Sequence, residues 1–594
     1  MKYILEGTST LTYDELDQRT NQLNAFLKES GLRNGNRIGI ASTDERESVA
    51  LILSFIRLGF PIAMIDPNAR KTEAAELLRR LELKALFLDQ EIIDNWSTAI
   101  AFKNSIPNVW PIARQKKKLL NRLLSRKDTA QSSSATYPDC LNGYDSNDAL
   151  PSLQPSDQEA LLLCTSGTTG LPKILKLSTA NILAASKTTS KQLGLNQNTR
   201  LLNLLPLNHY DGIVSGLITA FYNSATQIRL GPFSVSLLPD IFDAIYKYRA
   251  THVLLTPSVL ALMLRLGEEV DEVFRSHDFE FVISVAATLP SKIWAEFQEK
   301  TGKKVVNVYG LSETGNNLFA GPDDESYRIG SIGKPIDCKA LIVNDAGEIA
   351  GDEEPGELLL QGSSITSGYL GESIVNVTIS DQQWFATGDI ARRDESGVYW
   401  LAGRKKNIII VGGRNVYPDE INNALLSHPK VIEVATVGIP DEIWGERVVS
   451  CVVGRPGINS EELTDHAAKL LTDYKVPREI HILQELPKGR SGKVLVNELV
   501  SRLVEGSLKS TEKAQEKLEE KVLRLASESF RVPITELSLA TTPQQCSRWD
   551  SVAHMDFVVN VEQAFQIELL PREVIRITSL ETAVQIIREK LTNK

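Results

Sequence analysis

Apolar residues return at helical spacing over 11–35, where Leu16, Leu23, Phe26 and Leu27 fall on one face. The short apolar run 37–41 predicts a strand, and 48–58 predicts an apolar helix behind it. A second strand is expected at 85–88 and a third at 161–164, Leu-Leu-Leu-Cys. Helices alternating with short apolar strands predict an α/β fold with largely parallel sheets. A hinge is expected near Gly403. Beyond Lys493 the pattern changes: 503–514 is mostly polar and reads as a linker. Helical periodicity resumes over 516–530, 557–565 and 580–591, with a short turn at 571–574, and these predict a four-helix bundle.

Composition narrows the function. The 594 residues carry a formal net charge of −10, and phosphate-backbone binding needs clustered positive charge, so nucleic acid is not an expected partner. The five cysteines, Cys140, Cys164, Cys338, Cys451 and Cys546, are scattered and never at metal-ligand spacing. That disfavours a disulfide framework or zinc site and suits a reducing compartment. The most apolar stretch, 49–65, contains Arg57 and Pro61 and is too short to span a bilayer. With no signal-peptide pattern at the start, a cytoplasmic protein is expected. The basic stretch 116–127, KKKLLNRLLSRK, reads as a solvated insertion between strands, with a membrane-surface or partner helix as the alternative.

The chemistry begins where the third strand ends. Thr165-Ser166-Gly167-Thr168-Thr169-Gly170-Leu171-Pro172-Lys173 packs four hydroxyls, two glycines and a lysine into one loop. Glycines let backbone approach an anion, hydroxyls and N–H groups bond phosphate oxygens, and Lys173 adds charge. The spacing is not that of the Walker loop. Further along stand Asn307-Val308-Tyr309-Gly310-Leu311-Ser312-Glu313-Thr314, Thr387-Gly388-Asp389, Gly403-Arg404-Lys405-Lys406 and Leu486-Pro487-Lys488-Gly489-Arg490-Ser491-Gly492-Lys493.

In this order, across about residues 10 to 500, these motifs resemble the adenylate-forming superfamily of acyl-CoA synthetases, firefly luciferase and nonribosomal peptide synthetase adenylation domains. The resemblance implies a large N-terminal domain, 1–403, and a small α+β C-terminal subdomain, 404–502. It also implies that the 165–173 loop holds ATP phosphates. Tyr309 stacks on adenine, Asn307 faces its amino group, Ser312 lies near the α-phosphate and Glu313 binds Mg²⁺, a hard cation suited to carboxylate and phosphate oxygens. Asp389 accepts from both ribose hydroxyls, Arg404 helps hold the nucleotide and Lys406 is the hinge residue. Lys493 is the catalytic lysine between carboxylate and α-phosphate, offsetting charge that develops as pyrophosphate leaves; Lys488 has the plainer role of a solvated lysine. Domain rotation about the hinge then brings Gly412 and Gly413 to a pantetheine tunnel.

The acid pocket is implied by two segments. Leu205-Pro206-Leu207-Asn208-His209-Tyr210-Asp211-Gly212 resembles the P-x-x-H element, with His209 as an aromatic gate beside the carboxylate. Amino-acid-activating relatives carry an Asp next after the gate; Tyr210 stands there and Asp211 follows. A neutral phenol cannot neutralise an ammonium, which weakens an α-amino-acid substrate, while Asp211 keeps it open. Ser284-Val285-Ala286-Ala287-Thr288-Leu289-Pro290 aligns with S-G-G-A-P-L-P. Val285 and Ala286 replace glycines and narrow the pocket floor, so a small acid is expected. Thr179 stands near the place of a histidine found in the family, and the first subdomain is expected to begin late.

Cys546-Ser547-Arg548-Trp549-Asp550-Ser551-Val552-Ala553-His554 resembles acyl carrier proteins, whose D-S-L serine takes 4′-phosphopantetheine. After the linker 503–514, residues 515–594 are then a carrier domain, with Ser551 at a helix start suited to phosphate. The expected function is ATP-dependent adenylation of a small carboxylic acid, followed by transfer to the pantetheine thiol on Ser551. A separate phosphopantetheinyl transferase and a downstream synthase or acyltransferase of nonribosomal peptide or polyketide biosynthesis are the implied partners. A CoA ligase with an accessory carrier domain is the alternative, and a non-enzymatic scaffold is disfavoured by the intact Lys493, Glu313 and Asp389.

Overall fold

The computed structural model describes residues 2–4, 10–97, 106–112, 136–144, 150–165, 173–231, 233–267, 270–411, 414–441, 445–455, 457–487, 494–504, 518–530, 532–546, 548–549, 551–565 and 567–592. The basic stretch 116–127 lies outside them, as does nearly all of the expected linker.

Two sheets dominate the large domain. In the first, Lys304–Leu311, Phe281–Ser284, His252–Leu255, Arg200–Asn203 and Thr226–Ile228 are parallel neighbours in that order. In the second, Glu159–Thr165, Ile62–Met64, Ile38–Ala41, Ala85–Asp89 and Asn108–Ile112 are parallel, and Lys173–Ser178 returns antiparallel beside Glu159–Thr165. Near-continuous apolar runs such as Ala85–Asp89, buried at every position, are what a sheet covered on both faces requires. The expected strands 37–41 and 85–88 are present within a residue.

Helix starts follow local chemistry. Tyr13–Glu29 opens on a capping box in which Thr12 accepts from the Glu15 N–H and Glu15 from the Thr12 N–H. Its buried face is Leu16, Thr20, Leu23, Phe26 and Leu27. The apolar helix is Glu45–Arg57, capped by Asp44, with Val49 to Ile56 buried.

An antiparallel sheet of Cys338–Val343, Gly356–Gly362, Asn376–Ile379, Gln382–Arg393 and Tyr399–Arg404 closes the large domain. A small α+β body follows, in which Val431–Asp441 and Gly445–Gly454 pair along almost their whole length. This is the α/β architecture that the resemblance implies, with a large N-terminal and a small C-terminal domain.

The chain ends in helices Leu518–Phe530, Ser551–Phe565, Pro571–Ile575 and Leu580–Thr592. Val522, Leu525, Phe530, Trp549, Phe557, Val574 and Ile587 are buried between them. Trp549 stacks on Phe530 with ring centroids 4.4 Å apart. Its Nε1–H donates to His554 Nδ1 at 3.0 Å, which leaves Nε2–H to donate to the Val574 carbonyl at 3.3 Å. The helix that begins at Ser551 is thus locked from both sides by one neutral imidazole.

Burial pushes His554 down to about 4. The unfolded chain binds a proton near pH 6.5 that the folded ring refuses, so stability is present above that pH and is lost as pH falls toward 4. The loss amounts to about 3 kcal/mol. We expect amide hydrogen exchange in Ser551–Phe565, corrected for intrinsic rate, to accelerate steeply between pH 6.5 and 4, and His554→Gln to flatten that dependence. A helix equally protected at both ends of the range would remove His554 from this role.

Candidate functional site

Three loops leave the carboxyl ends of parallel strands of the first sheet, the edge where open α/β sheets bind ligands. Arg200–Asn203 leads to the 204–210 loop, Phe281–Ser284 to Val285 and Ala286, and Lys304–Leu311 carries Asn307 and Tyr309 and leads to Ser312 and Glu313. Asn307 lies in register with Ser284 on one side and Ala320 on the other. Parallel topology therefore gathers segments about a hundred residues apart into one crevice.

The Asn307 side chain donates from Nδ2 to the Ser331 carbonyl at 2.9 Å, which fixes the amide plane and leaves Oδ1 for a donor. Tyr309 is buried, and its hydroxyl donates to Asp389 Oδ2 at 2.6 Å. Burial, with the Asp389 carboxylate beside it, holds this phenol well above its ordinary range, so it stays a donor. Asp389 also forms an ion pair with Arg404, whose Nε lies 2.6 Å from Oδ1, across the pair Gln382–Arg393 and Tyr399–Arg404, where the two residues lie in register. Tyr309, Asp389 and Arg404 are thus one cluster. Asp419, from the first turn of the small domain's Pro418–Leu426 helix, completes it: burial raises its carboxyl, and the Asp389 charge adds to the rise. Lys406 is exposed in the turn Lys405–Asn407, between the two bodies.

Glu313 sits in the turn after Lys304–Leu311. Its carbonyl accepts from the Thr366 N–H at 2.8 Å, and its carboxylate accepts a hydrogen bond from the Tyr369 hydroxyl. Tyr369 lies under Lys173, whose Nζ is 5.0 Å from the ring centroid and 2.7 Å from Glu372. Both members of that ion pair are well exposed, so it is worth under about 1 kcal/mol and yields readily to a polyanion. Thr165 pairs with Lys173 in register, so the strands bring the two ends of the phosphate-loop motif together. Ser166, Gly167, Thr168, Thr169 and Gly170 lie outside the described residues, as do Gly412, Gly413 and Lys493. Ser312 is half-buried beside Glu313.

The acid-side residues divide. His209 is exposed, so it is no core histidine, and Tyr210 is buried. The Tyr210 hydroxyl fills the space where a Cβ on Gly315 would stand, 2.7 Å from it, at φ +74°. Asp211 opens a π-helix, Asp211–Ile218, a form common at functional sites, and accepts from Ser215 Oγ at 2.8 Å. Val285 is core, packed with Leu205, Leu254 and Val308, whereas Ala286 is exposed. Only Ala286 of that pair faces open space; Val285 thickens the floor from behind.

Sequence reasoning missed three participants. Tyr369 and Asp419 reach the site from other elements without a local signature. Arg229, fully buried, pairs with Glu45 and donates to the carbonyls of Leu205 at 2.9 Å and Asn203 at 3.4 Å, which anchors the loop that ends in His209.

The profile of the AMP-binding enzyme family matches residues 2–370, and that of the AMP-binding enzyme C-terminal domain matches 420–493. Sulfoacetate–CoA ligase of Cupriavidus necator is 35% identical over 59% of this chain and 68% of its own length. Indoleacetate–CoA ligase of Aromatoleum aromaticum is 30% identical over 83% of this chain and 94% of its own. The crystal structure of ATP-bound MatB from Rhodopseudomonas palustris superposes with a TM-score of 0.73 at 25% identity, covering 84% of this chain and 95% of that one. With both of its parts matched in order and the same two-domain fold, the chain belongs to the AMP-binding enzyme family.

Proposed function

We propose that this protein joins ATP and a small carboxylic acid into an acyl-adenylate, releasing pyrophosphate, and then passes the acyl group to a pantetheine thiol carried on Ser551. The observation that carries the first step is the Tyr309–Asp389–Arg404 cluster at the carboxyl edge of the sheet. Asp389 offers two acceptor oxygens to the ribose hydroxyls, Tyr309 supplies a face for adenine and Asn307 Oδ1 an acceptor for its amino group. Lys173 and the 165–170 loop meet the phosphates. Lys493 offsets charge as the carboxylate oxygen attacks the α-phosphorus and the bond to pyrophosphate breaks.

Among the described residues no group of three metal-ligating side chains gathers. Glu313 alone at the turn suits Mg²⁺, which keeps water and takes phosphate oxygens beside one or two carboxylates. The cation would neutralise phosphate charge there, and Tyr369 holds the Glu313 carboxylate in place.

Support for the second step is local. Ser551 is the first residue of a fifteen-residue helix, where a phosphodiester meets partial positive charge, and Trp549 and His554 lock that corner. No helix among the described residues is long and apolar enough to cross a membrane. Transfer to free CoA is the second reading, favoured by the CoA ligases among the relatives.

Pyrophosphate exchange over aryl, short acyl, hydroxy and amino acids tests the adenylation. Lys493→Ala is expected to slow exchange on the order of 100-fold while thioester formation from a supplied acyl-adenylate persists; equal loss in both would displace Lys493 from its role. Once Ser551 has been modified by a phosphopantetheinyl transferase, ATP, Mg²⁺ and the acid should add the acyl mass to the Ser551 peptide. Ser551→Ala should abolish that mass and leave exchange unchanged, and acylation of CoA alone would decide for the CoA ligase. Ala286 stands at φ +70°, a conformation a glycine adopts without strain. Ala286→Gly is therefore expected to stabilise the large domain by about 1 kcal/mol in urea unfolding. It should also raise kcat/KM for an acid one methylene longer about fourfold, the worth of one buried CH₂. Unchanged selectivity would take Ala286 out of the pocket.

A further inference from the structure

The helix Ser551–Phe565 presents one face to two different bodies. Val559 and Glu562, three residues apart, lie on that face. Glu562 is buried; its Oε1 accepts from the Leu569 N–H at 2.9 Å inside the C-terminal unit. Its Oε2 accepts from Arg265 Nη2 at 2.9 Å, in the last turn of the large domain's Pro257–Leu266 helix. The apolar core there is continuous: Leu260, Met263 and Leu264 of that helix share one cluster with Leu569, Val574 and Ile577 of the C-terminal unit.

Val559 belongs elsewhere. It is buried in the core of the small domain, with Val437, Leu486 and Leu499. Leu486 lies before Lys493, and Val494 and Val496, just after it, pack on this same cluster. The segment bearing Lys493 is therefore anchored on both flanks in the apolar cluster that Val559 enters.

We infer that the C-terminal unit is a clamp between the two ligase domains, docked through Arg265–Glu562 on the large domain and through Val559 at the base of the Lys493 segment, and that its release from one of them sets the balance between the two half-reactions. This rests on the proposed two-step ligase reading, in which the small domain must change its position relative to the large one. While Val559 and Glu562 are both engaged, one rigid helix ties those domains together. Movement of the small domain then requires one contact to open. The occupant of this surface is the chain's own C-terminal unit, not a separate protein. The pair suits a releasable contact: Arg265 is partly exposed, so water can take it up when Glu562 leaves.

The test uses the full chain with Arg265→Glu, which places like charges at the contact and leaves the Glu562–Leu569 bond inside the unit untouched. Hydrogen exchange in Pro257–Leu266 and Val496–Val504 is read without ATP; it should rise at least fivefold in Pro257–Leu266, while Val496–Val504, still held through Val559, keeps its protection. The ratio of pyrophosphate exchange to thioester formation should shift at least fivefold, and Arg265→Lys should restore both readouts. Should the glutamate variant not fold, Arg265→Gln takes its place. Unchanged exchange in Pro257–Leu266, exchange raised equally in both helices, or a ratio unmoved after Pro257–Leu266 loses its protection overturns the clamp. A wild-type chain without pyrophosphate exchange would overturn the ligase reading instead, while the protection of the two helices still decides whether the unit is docked on both.

Discussion

A buried cation joins the two large sheets at the end of the crevice that carries the 204–210 loop. Arg229 follows the strand Thr226–Ile228, pairs with Glu45 at the first turn of Glu45–Arg57 and donates to the Asn203 and Leu205 carbonyls. A guanidinium stripped of water is costly unless each direction of its fork is met, and here carboxylate and carbonyls meet it. Removing one partner of such a pair typically costs about 3–5 kcal/mol, because a lone charge is left behind. The 204–210 loop is therefore held by a cation of its own sheet that is itself anchored on a helix of the other. Asn203 extends the hold: its Nδ2 donates to the Gly212 carbonyl at 3.0 Å, and its Oδ1 accepts from the Leu205 N–H at 3.0 Å. His209, Tyr210 and Asp211 are placed by this scaffold before any substrate arrives, which lowers the ordering entropy charged to binding.

On the nucleotide side the same principle works through exchangeable partners. Asp389 is buried and already satisfied by Tyr309 and Arg404, so ligand-free protein leaves no lone carboxylate in the crevice. Lys173 is likewise met by Glu372 and the Tyr369 ring. These partners differ in strength. The exposed Lys173–Glu372 pair is weak, whereas the buried Tyr309–Asp389 bond is charge-assisted and short. In the proposed binding mode a nucleotide would displace the weak contact outright and reorganise the strong one, so phosphates would engage at little cost and the ribose would be the discriminating part.

Local chemistry was legible in the sequence, and cross-chain chemistry was not. The strands 38–41 and 85–89 announced themselves by short apolar runs, and the first helix by its apolar stripe. Asn307, Tyr309 and Glu313 share one strand and its turn, so a contiguous motif revealed them. Arg229 and Glu45 are 184 residues apart, and Tyr369 and Glu313 are 56 apart; each alone looks like an ordinary surface residue. The π-helix at Asp211–Ile218 was hidden for a related reason. A Cβ at Gly216 would lie 2.0 Å from the Asn203 amide, so the widened turn depends on a neighbour that periodicity cannot see. Val285 and Ala286 show the limit of substitution logic. Both add carbon where the resemblance expects glycine, yet one side chain enters the core and the next, where the backbone turns left-handed at φ +70°, faces out.

The C-terminal unit raises a question of magnitude. A helix that touches both ligase domains would stop turnover if its grip were as strong as a domain core. The grip has three parts: one ion pair with a partly exposed arginine, one valine in the small domain's core and an apolar seam on Pro257–Leu266. Full burial of a valine is worth about 1.5–3 kcal/mol, and in the ion pair only Arg265 keeps access to water, Glu562 being buried. A contact of a few kcal/mol leaves the open state populated at roughly 0.1–10%. Microsecond-to-millisecond domain motions then sample that state many times within the span of an ordinary turnover. An interface that opens at that level is compatible with a catalytic cycle, and under the proposed role of Lys493 its position beside the flanks of that residue would make it consequential.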